Sequence, residues 1–255
     1  MSENQNVWKP TEEAKGKAVQ LRLFAGLMWL VAIGLQTYTI FFELKKDPIT
    51  MWLIIVLMTI VLLLSLVGSY LWKKSNRLDP ASEKEKVKFF IQNQLGAILG
   101  VLAFLPLVIL VFTNKNLDGK QKGILGGIAA LYMVIAGIGG ADFNPPSVEK
   151  YTEETGMVEA LTGTNNVYWT KSGGRYHIYD DCGYIKNSTE KMNGTVAQSY
   201  ETKGIDQLCQ RCKNQKMKEQ NLSEESLLDK VKQLNPSEES NDAPAEETAS
   251  EKEAA

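Results

Sequence analysis

Trp52-Leu-Ile-Ile-Val-Leu-Met-Thr-Ile-Val-Leu-Leu-Leu64 is an apolar stretch broken only by Thr59, inside a longer uncharged run from Ile49 to Trp72. A helix needs about 20 such residues to cross about 30 Å of hydrocarbon. Hydrocarbon in turn tolerates only backbone that satisfies its own hydrogen bonds. The run therefore predicts a membrane-spanning helix. Three more uncharged runs of comparable length accompany it: Leu23–Phe42, Ile91–Thr113 and Gly123–Ala141. The last is the weakest, because Gly126, Gly127, Gly137, Gly139 and Gly140 dilute its apolar surface. A buried soluble helix accounts for one run of about 10–14 residues, not for four of this length. Four spans are the reading, over about 23–42, 49–72, 91–113 and 123–141.

The connections Glu43–Pro48, Lys73–Phe90 and Asn114–Lys122 are short, so consecutive helices run antiparallel as two hairpins or one four-helix bundle. Lys and Arg in short loops mark the cytoplasmic side. With the N-terminus inside, the segment 1–22 and the middle loop hold ten Lys/Arg, and the outer loops hold five. Both termini are accordingly expected in the cytoplasm. Pro10-Thr11-Glu12-Glu13 reads as a helix start, with Thr11 as N-cap and acids in the first turn. A cleaved signal peptide is not expected, since the first apolar run is long enough to span and no small-x-small site follows it. In the middle loop Asp79 is expected to cap a helix with Pro80 at its first position. Trp29, Trp52, Tyr70 and Trp72 lie near span ends, where aromatic side chains prefer the interface.

The four runs contain no Asp, Glu, Lys, Arg or His. Ion-coupled transporters keep ionisable groups at membrane depth, so this pattern argues against them. Gln36-Thr37-Tyr38-Thr39 and Gln94 sit near span ends and are expected in interfacial or interhelical bonds. Gly96-x3-Gly100 and Gly123-x3-Gly127 are small-residue faces that let helices approach closely, within one chain or in a homo-oligomer.

Whole-chain numbers hide two unlike halves. The net charge of −2 averages a balance of +5 up to Asp142 and −7 from Phe143 onward. Pro145-Pro146 ends the fourth helix, and 142–166 reads as a juxtamembrane connector in which Ser147 caps a short helix through Thr155. Gly156 and Gly163 are turn signals. Leu227, Leu228, Val231 and Leu234 predict a short amphipathic helix over 223–234. Asn235–Ala255, rich in Glu, Ser and Ala, is expected to be disordered.

Between these lie the chain's one histidine and all three of its cysteines: His177, Cys182, Cys209 and Cys212, spaced His-x4-Cys and Cys-x2-Cys. A Cys3His set with one Cys-x-x-Cys knuckle suits a tetrahedral structural zinc ion. A disulfide framework would leave one of three thiols over. A redox dithiol ordinarily sits in a βαβ context that is missing here. Four strong ligands leave no open position for a catalytic metal's water. Structural Zn2+, redox thiols and unrelated cysteines remain the three readings. Locally, Val167-Tyr-Trp-Thr170 reads as a strand, Ser172-Gly-Gly174 as a hairpin turn and Arg175–Tyr179 as the returning strand. Val196–Lys203 reads as a helix ended by Gly204, and a further helix begins at the Cys-x-x-Cys knuckle. A module of residues 167–218 has few large apolar residues. Zinc, worth on the order of 10 kcal/mol in small peptides, would then supply its folding energy.

The stretches Val167-Tyr-Trp-Thr-Lys-Ser-Gly-Gly-Arg-Tyr-His177, Cys182-Gly-Tyr-Ile185, Gly204 and Leu208-Cys-Gln-Arg-Cys212 resemble the small Ada-like zinc-binding module appended to some bacterial proteins. The resemblance covers about a fifth of the chain and implies zinc held by His177, Cys182, Cys209 and Cys212. The membrane region resembles no family.

The expected architecture is an all-α four-helix transmembrane bundle, followed by a small α+β zinc-stabilised soluble module and a disordered acidic tail. The expected setting is a bacterial cell membrane. The preferred role is a non-catalytic membrane protein presenting a cytoplasmic structural-zinc module to a protein partner, with the lipid bilayer as its other partner. A small transporter or channel gated by zinc and a thiol redox enzyme are the alternatives. Nucleic acid is not an expected partner, because the −7 balance of the second half repels phosphate.

Overall fold

The computed structural model describes residues 7–203, 205 and 207–234. The expected helix end at Gly204 and the acidic tail at 235–255 lie outside these residues. The first half is four long helices: α1 Glu12–Phe41, α2 Met51–Leu78, α3 Lys86–Thr113 and α4 Gly119–Gly140. Each is long and apolar enough to cross a membrane. Helix α1 begins well before its apolar run, capped by Thr11, whose side chain accepts the Ala14 N–H at 3.1 Å, with Glu12 and Glu13 in the first turn. Asp118 starts α4 through a reciprocal capping box with Gln121, at 2.7 and 3.0 Å.

The helices pair as two hairpins, α1 with α2 and α3 with α4, and α2 packs against both members of the second pair. Ile54, Met58 and Val61 of α2 meet Phe104, Leu107 and Val111 of α3 and Leu125 and Ala129 of α4 in one buried core. Large apolar side chains such as Leu23, Leu30, Trp52 and Ile138 stay exposed on the outside, as lipid contact requires. Helices α3 and α4 touch backbone to backbone. A methyl group at Gly100 would lie 2.8 Å from the Ala136 carbonyl oxygen, and one at Gly140 would strike the backbone of Gly96 and Ala97. Gly96-x3-Gly100 is thus spent inside the chain against Ala136-x3-Gly140. Gly123 and Gly127 are exposed and have nothing within 4 Å of an added methyl.

Two local expectations are corrected. Asp79 starts no helix. It ends α2 and accepts an Arg22 hydrogen bond at 2.8 Å, while α3 begins only at Lys86. Trp29 is no interfacial anchor. It is buried over Gly68, with its indole N–H aimed at the Ser65 carbonyl at 3.4 Å. The other expected bonds near span ends take mixed forms. Thr37 and Thr39 bond back to Ile33 and Leu35 of their own helix, and Gln94 donates to the Asp142 carbonyl at 2.9 Å. Gln36 is buried with both amide atoms lacking a partner among the described residues.

The second half is α5 Val148–Thr162, β1 Val167–Thr170, β2 Lys191–Gly194, α6 Val196–Lys203, α7 Gln210–Glu219 and α8 Glu224–Leu234. Helix α5 is longer than expected: it starts at Ser147, runs through a buried Gly156 and stops at Gly163, whose φ of 75° only glycine adopts without strain. Gly156 does not turn the chain because Tyr151, Val158 and Leu161 continue one buried helical face across it. That face makes the soluble unit larger than residues 167–218. Val158 and Leu161 of α5 and Leu227 and Val231 of α8 share a core with Val167, Trp169 and Tyr176. The unit is fastened to the inter-helix loop of the bundle. Val148 N–H donates to the Ala81 carbonyl, Ser82 donates to Glu149, and the Tyr151 hydroxyl donates to the Arg77 carbonyl.

Gly140→Ala pushes α4 off α3 and is expected to cost about 1–3 kcal/mol of overpacking, whereas Gly127→Ala is expected to be neutral. Thermal unfolding in detergent distinguishes the two; equal losses would show that the α3–α4 contact is not the tight one.

Candidate metal centre

The returning segment after β1 behaves differently from a simple hairpin strand, and this difference builds the site. It pairs with β1 at a single position, through Tyr168 N–H to the His177 carbonyl at 2.8 Å and His177 N–H to the Tyr168 carbonyl at 2.7 Å. The full antiparallel partner of β1 is β2, a strand not expected from sequence, in the register Val167↔Gly194 to Thr170↔Lys191. On its other edge the returning segment is held by 207–209: Tyr176 N–H donates to the Gln207 carbonyl at 3.0 Å, and Cys209 N–H donates to the Tyr176 carbonyl at 2.8 Å. These bonds bring the His177 segment beside the Cys209 segment, although 32 residues separate the two in sequence. Tyr176 itself is fully buried, with its hydroxyl on the Glu154 carboxylate, so helix α5 anchors the same segment.

Cys182 follows in a tight turn whose carbonyl accepts from Ile185 and Lys186, each at 2.8 Å. Cys209 is the N-cap of α7 and Cys212 lies in its first turn.

All four sequence-derived residues meet. One ligand atom from each of His177, Cys182, Cys209 and Cys212 lies within 4.8 Å of the others, all four side chains are buried, and the three cysteines are free of disulfides. The Cys212 sulfur stands 3.6 Å from His177 Nδ1. A tetrahedron with metal–sulfur and metal–nitrogen bonds of about 2.3 and 2.05 Å has a sulfur–nitrogen edge of about 3.5 Å. The Cys212–His177 separation therefore matches one edge of a tetrahedral site. Ile185 closes it, with Tyr168, Ile178 and Tyr179 packed alongside.

Burial sets the protonation of the site. Burial pushes the Cys212 thiol up to about 12, while backbone hydrogen bonds from Tyr179 and Ile178 pull the other way; burial also holds His177 below its ordinary value. The Cys212 thiol therefore stays protonated at neutral pH unless a metal ion supplies compensating charge. Tyr179, raised by burial and by its 2.7 Å hydrogen bond to Glu219, stays a neutral donor that ties the returning segment to the end of α7. Sequence reasoning missed Glu154 and Glu219, because a single acid on a helix carries no sign of a distant tyrosine. It also missed Glu43, one residue past the first uncharged run, which the structure buries with one carboxylate oxygen lacking a partner among the described residues.

No family model, curated protein or solved structure matches this chain.

On the alkaline side metal occupancy decides the pH dependence, since His177, lowered by burial, makes the metal-free protein lose stability in acid as the loaded one does. The raised Cys212 thiol adds stability to the chelated protein that is complete below the ordinary thiol value of about 8.5 and is lost as pH rises above it. In the loaded protein, protons compete for the ligands, so stability is lost as pH falls. Above the ordinary thiol value of about 8.5 the chelated protein should lose stability in unfolding curves as pH rises while the loaded protein does not; the same alkaline loss with and without chelator would remove the metal from the site.

Proposed function

We propose that this chain is a multi-pass membrane protein that holds a zinc-stabilised module on the cytoplasmic side as a docking surface for a protein partner. It carries out no chemistry of its own. The single observation that carries the reading is the convergence of four buried donors within 4.8 Å of one another. Four strong ligands saturate zinc and leave no place for a substrate or an activated water. The resemblance to Ada-like zinc modules supports the same ligand set. The excess of Lys and Arg in the N-terminal segment and the middle loop supports a cytoplasmic location. Beside the metal knuckle, Tyr184 stands 73% exposed and Arg211 lies over Gly183. Such an aromatic–arginine pair is common at protein interfaces. The acidic balance of this half disfavours nucleic acid.

A second reading, a small zinc-gated transporter or channel, draws on the buried polar groups near the far end of α1. Gln36 has an amide unpartnered among the described residues, and Glu43 is shared by Tyr38 and Lys46 at 2.8 and 2.6 Å. Reconstituted liposomes that show solute flux lowered by Glu43→Gln would favour it over the docking role.

For the docking role, protein purified from membranes should carry one zinc per chain. Cross-linking should capture a protein partner that is lost in Tyr184→Ala and in Cys209→Ser/Cys212→Ser. A metal-free preparation whose folding is indifferent to chelation would overturn the reading.

A further inference from the structure

A cleft of about 920 Å³ opens between the start of α3, the last turns of α2 and Arg22 in the first half of α1. Its floor is apolar: Trp72 of α2 lies beside Ile91 and Leu95, one turn apart on α3. Its rim is basic, formed by Arg22, Lys84, Lys86 and Lys88, with Glu85 the one acid in the lining. Glu85 is already paired with Lys88 at 2.7 Å, whereas Lys84 and Lys86 form no salt bridge among the described residues. Arg22 is held by Asp79 through its two terminal nitrogens, sits over the Trp72 ring at 5.8 Å from its centre, and keeps a buried Nε without a partner among the described residues.

The position of the cleft decides what fits it. Ile91 begins the third uncharged run and Trp72 ends the second, so the cleft straddles the boundary between hydrocarbon and water. Its apolar floor faces the acyl region and its cations face the headgroup layer. Val87 and Phe90, 73% and 59% exposed, extend the same greasy edge. The α3 N-terminus adds to the positive field: it has no side-chain cap and no acid in its first turn, and Lys86 and Lys88 stand against its positive end. Cations at that end are unfavourable alone and become favourable with an anion between them.

We propose that this cleft is a site for one anionic phospholipid of the cytoplasmic leaflet. The phosphate lies at Lys84 and Lys86, beside the Asp79-held Arg22, and an acyl chain lies along Trp72, Ile91 and Leu95. A water-soluble phosphate would leave the floor unused, and a zwitterionic lipid would place a cation among cations. The site depends on the chain spanning a bilayer but not on the zinc module, so its failure and the failure of the docking role are separable.

The test uses the full chain in nanodiscs or detergent, with native mass spectrometry counting bound phosphatidylglycerol against phosphatidylcholine. The expected result is one retained phosphatidylglycerol, with affinity falling about fivefold for each lysine removed, hence about 25-fold in Lys84→Gln/Lys86→Gln. Lys120→Gln/Lys122→Gln, the same charge change at the other end of the bundle, should leave retention unchanged. Ile91→Ser should weaken retention with every cation in place. Equal retention of both lipids, equal losses in the two double variants, or displacement of the lipid by inorganic phosphate alone would each overturn the proposal.

Discussion

Hydrocarbon supplies no hydrogen-bond partners, so any polar group placed in it must be satisfied from within the chain. The first half of this protein is arranged around that constraint. Thr37, Thr39, Thr59 and Thr113 return their hydroxyls to carbonyls of their own helices. The Tyr132 hydroxyl pairs with Thr59 across α2 and α4 at 3.0 Å. The end of α4 is capped by Lys73, whose ammonium donates to the Gly139 and Ala141 carbonyls and sets a positive charge against the negative end of that helix. Polar side chains gather at the end where the soluble unit attaches: Asn76 and Trp72 bond the Gln92 carbonyl, and Gln92 in turn bonds that of Asp79. Gln36 and Ser69 are exceptions, the amide of one and the hydroxyl of the other being buried and unpartnered among the described residues.

The soluble unit solves a different problem. A chain segment with few apolar residues cannot order itself by burial alone. Here the work is divided. Helices α5 and α8 supply an apolar core that holds β1, Tyr176 and Leu208 in place. The loop carrying Cys182 and Ile185 has little besides the ligand cluster to rest on. A metal ion held there would act locally, on a knuckle carried by a scaffold with a core of its own. Gly194 shows how closely that scaffold is fitted, since a side chain there would strike Gln198 and come within 3.0 Å of the Trp169 ring.

The two halves are joined by backbone and side-chain hydrogen bonds rather than by a shared apolar core. The loop between α2 and α3 is gripped from one side by α5, through Ala81, Ser82 and Arg77, and from the other by Arg22 of α1 on Asp79. The basic cleft opens on the same loop. Trp8 adds a bond to Thr152 and packs edge-on against Tyr151, so the N-terminal segment also touches the soluble unit.

By itself the sequence determined the four long helices, the Thr11 and Ser147 caps, β1, α6, α8 and the four residues of the metal cluster. Each is written locally: in run length and hydropathy, in a capping residue before a helix, or in a rare residue type confined to one window. Other features were decided only by tertiary structure. They include the pairing of β1 with β2, the clasp of Tyr176 and His177 between β1 and residues 207–209, the burial of Trp29 over Gly68, and the use of Gly96 and Gly100 against α4 rather than a second chain. They share one physical cause. Lys191-Met-Asn-Gly194 has no alternating apolar pattern, and a glycine or a tryptophan in a helix looks the same whether it meets lipid, another chain or its own neighbour. Which surface it meets depends on how distant segments pack, and no local pattern of residues encodes that.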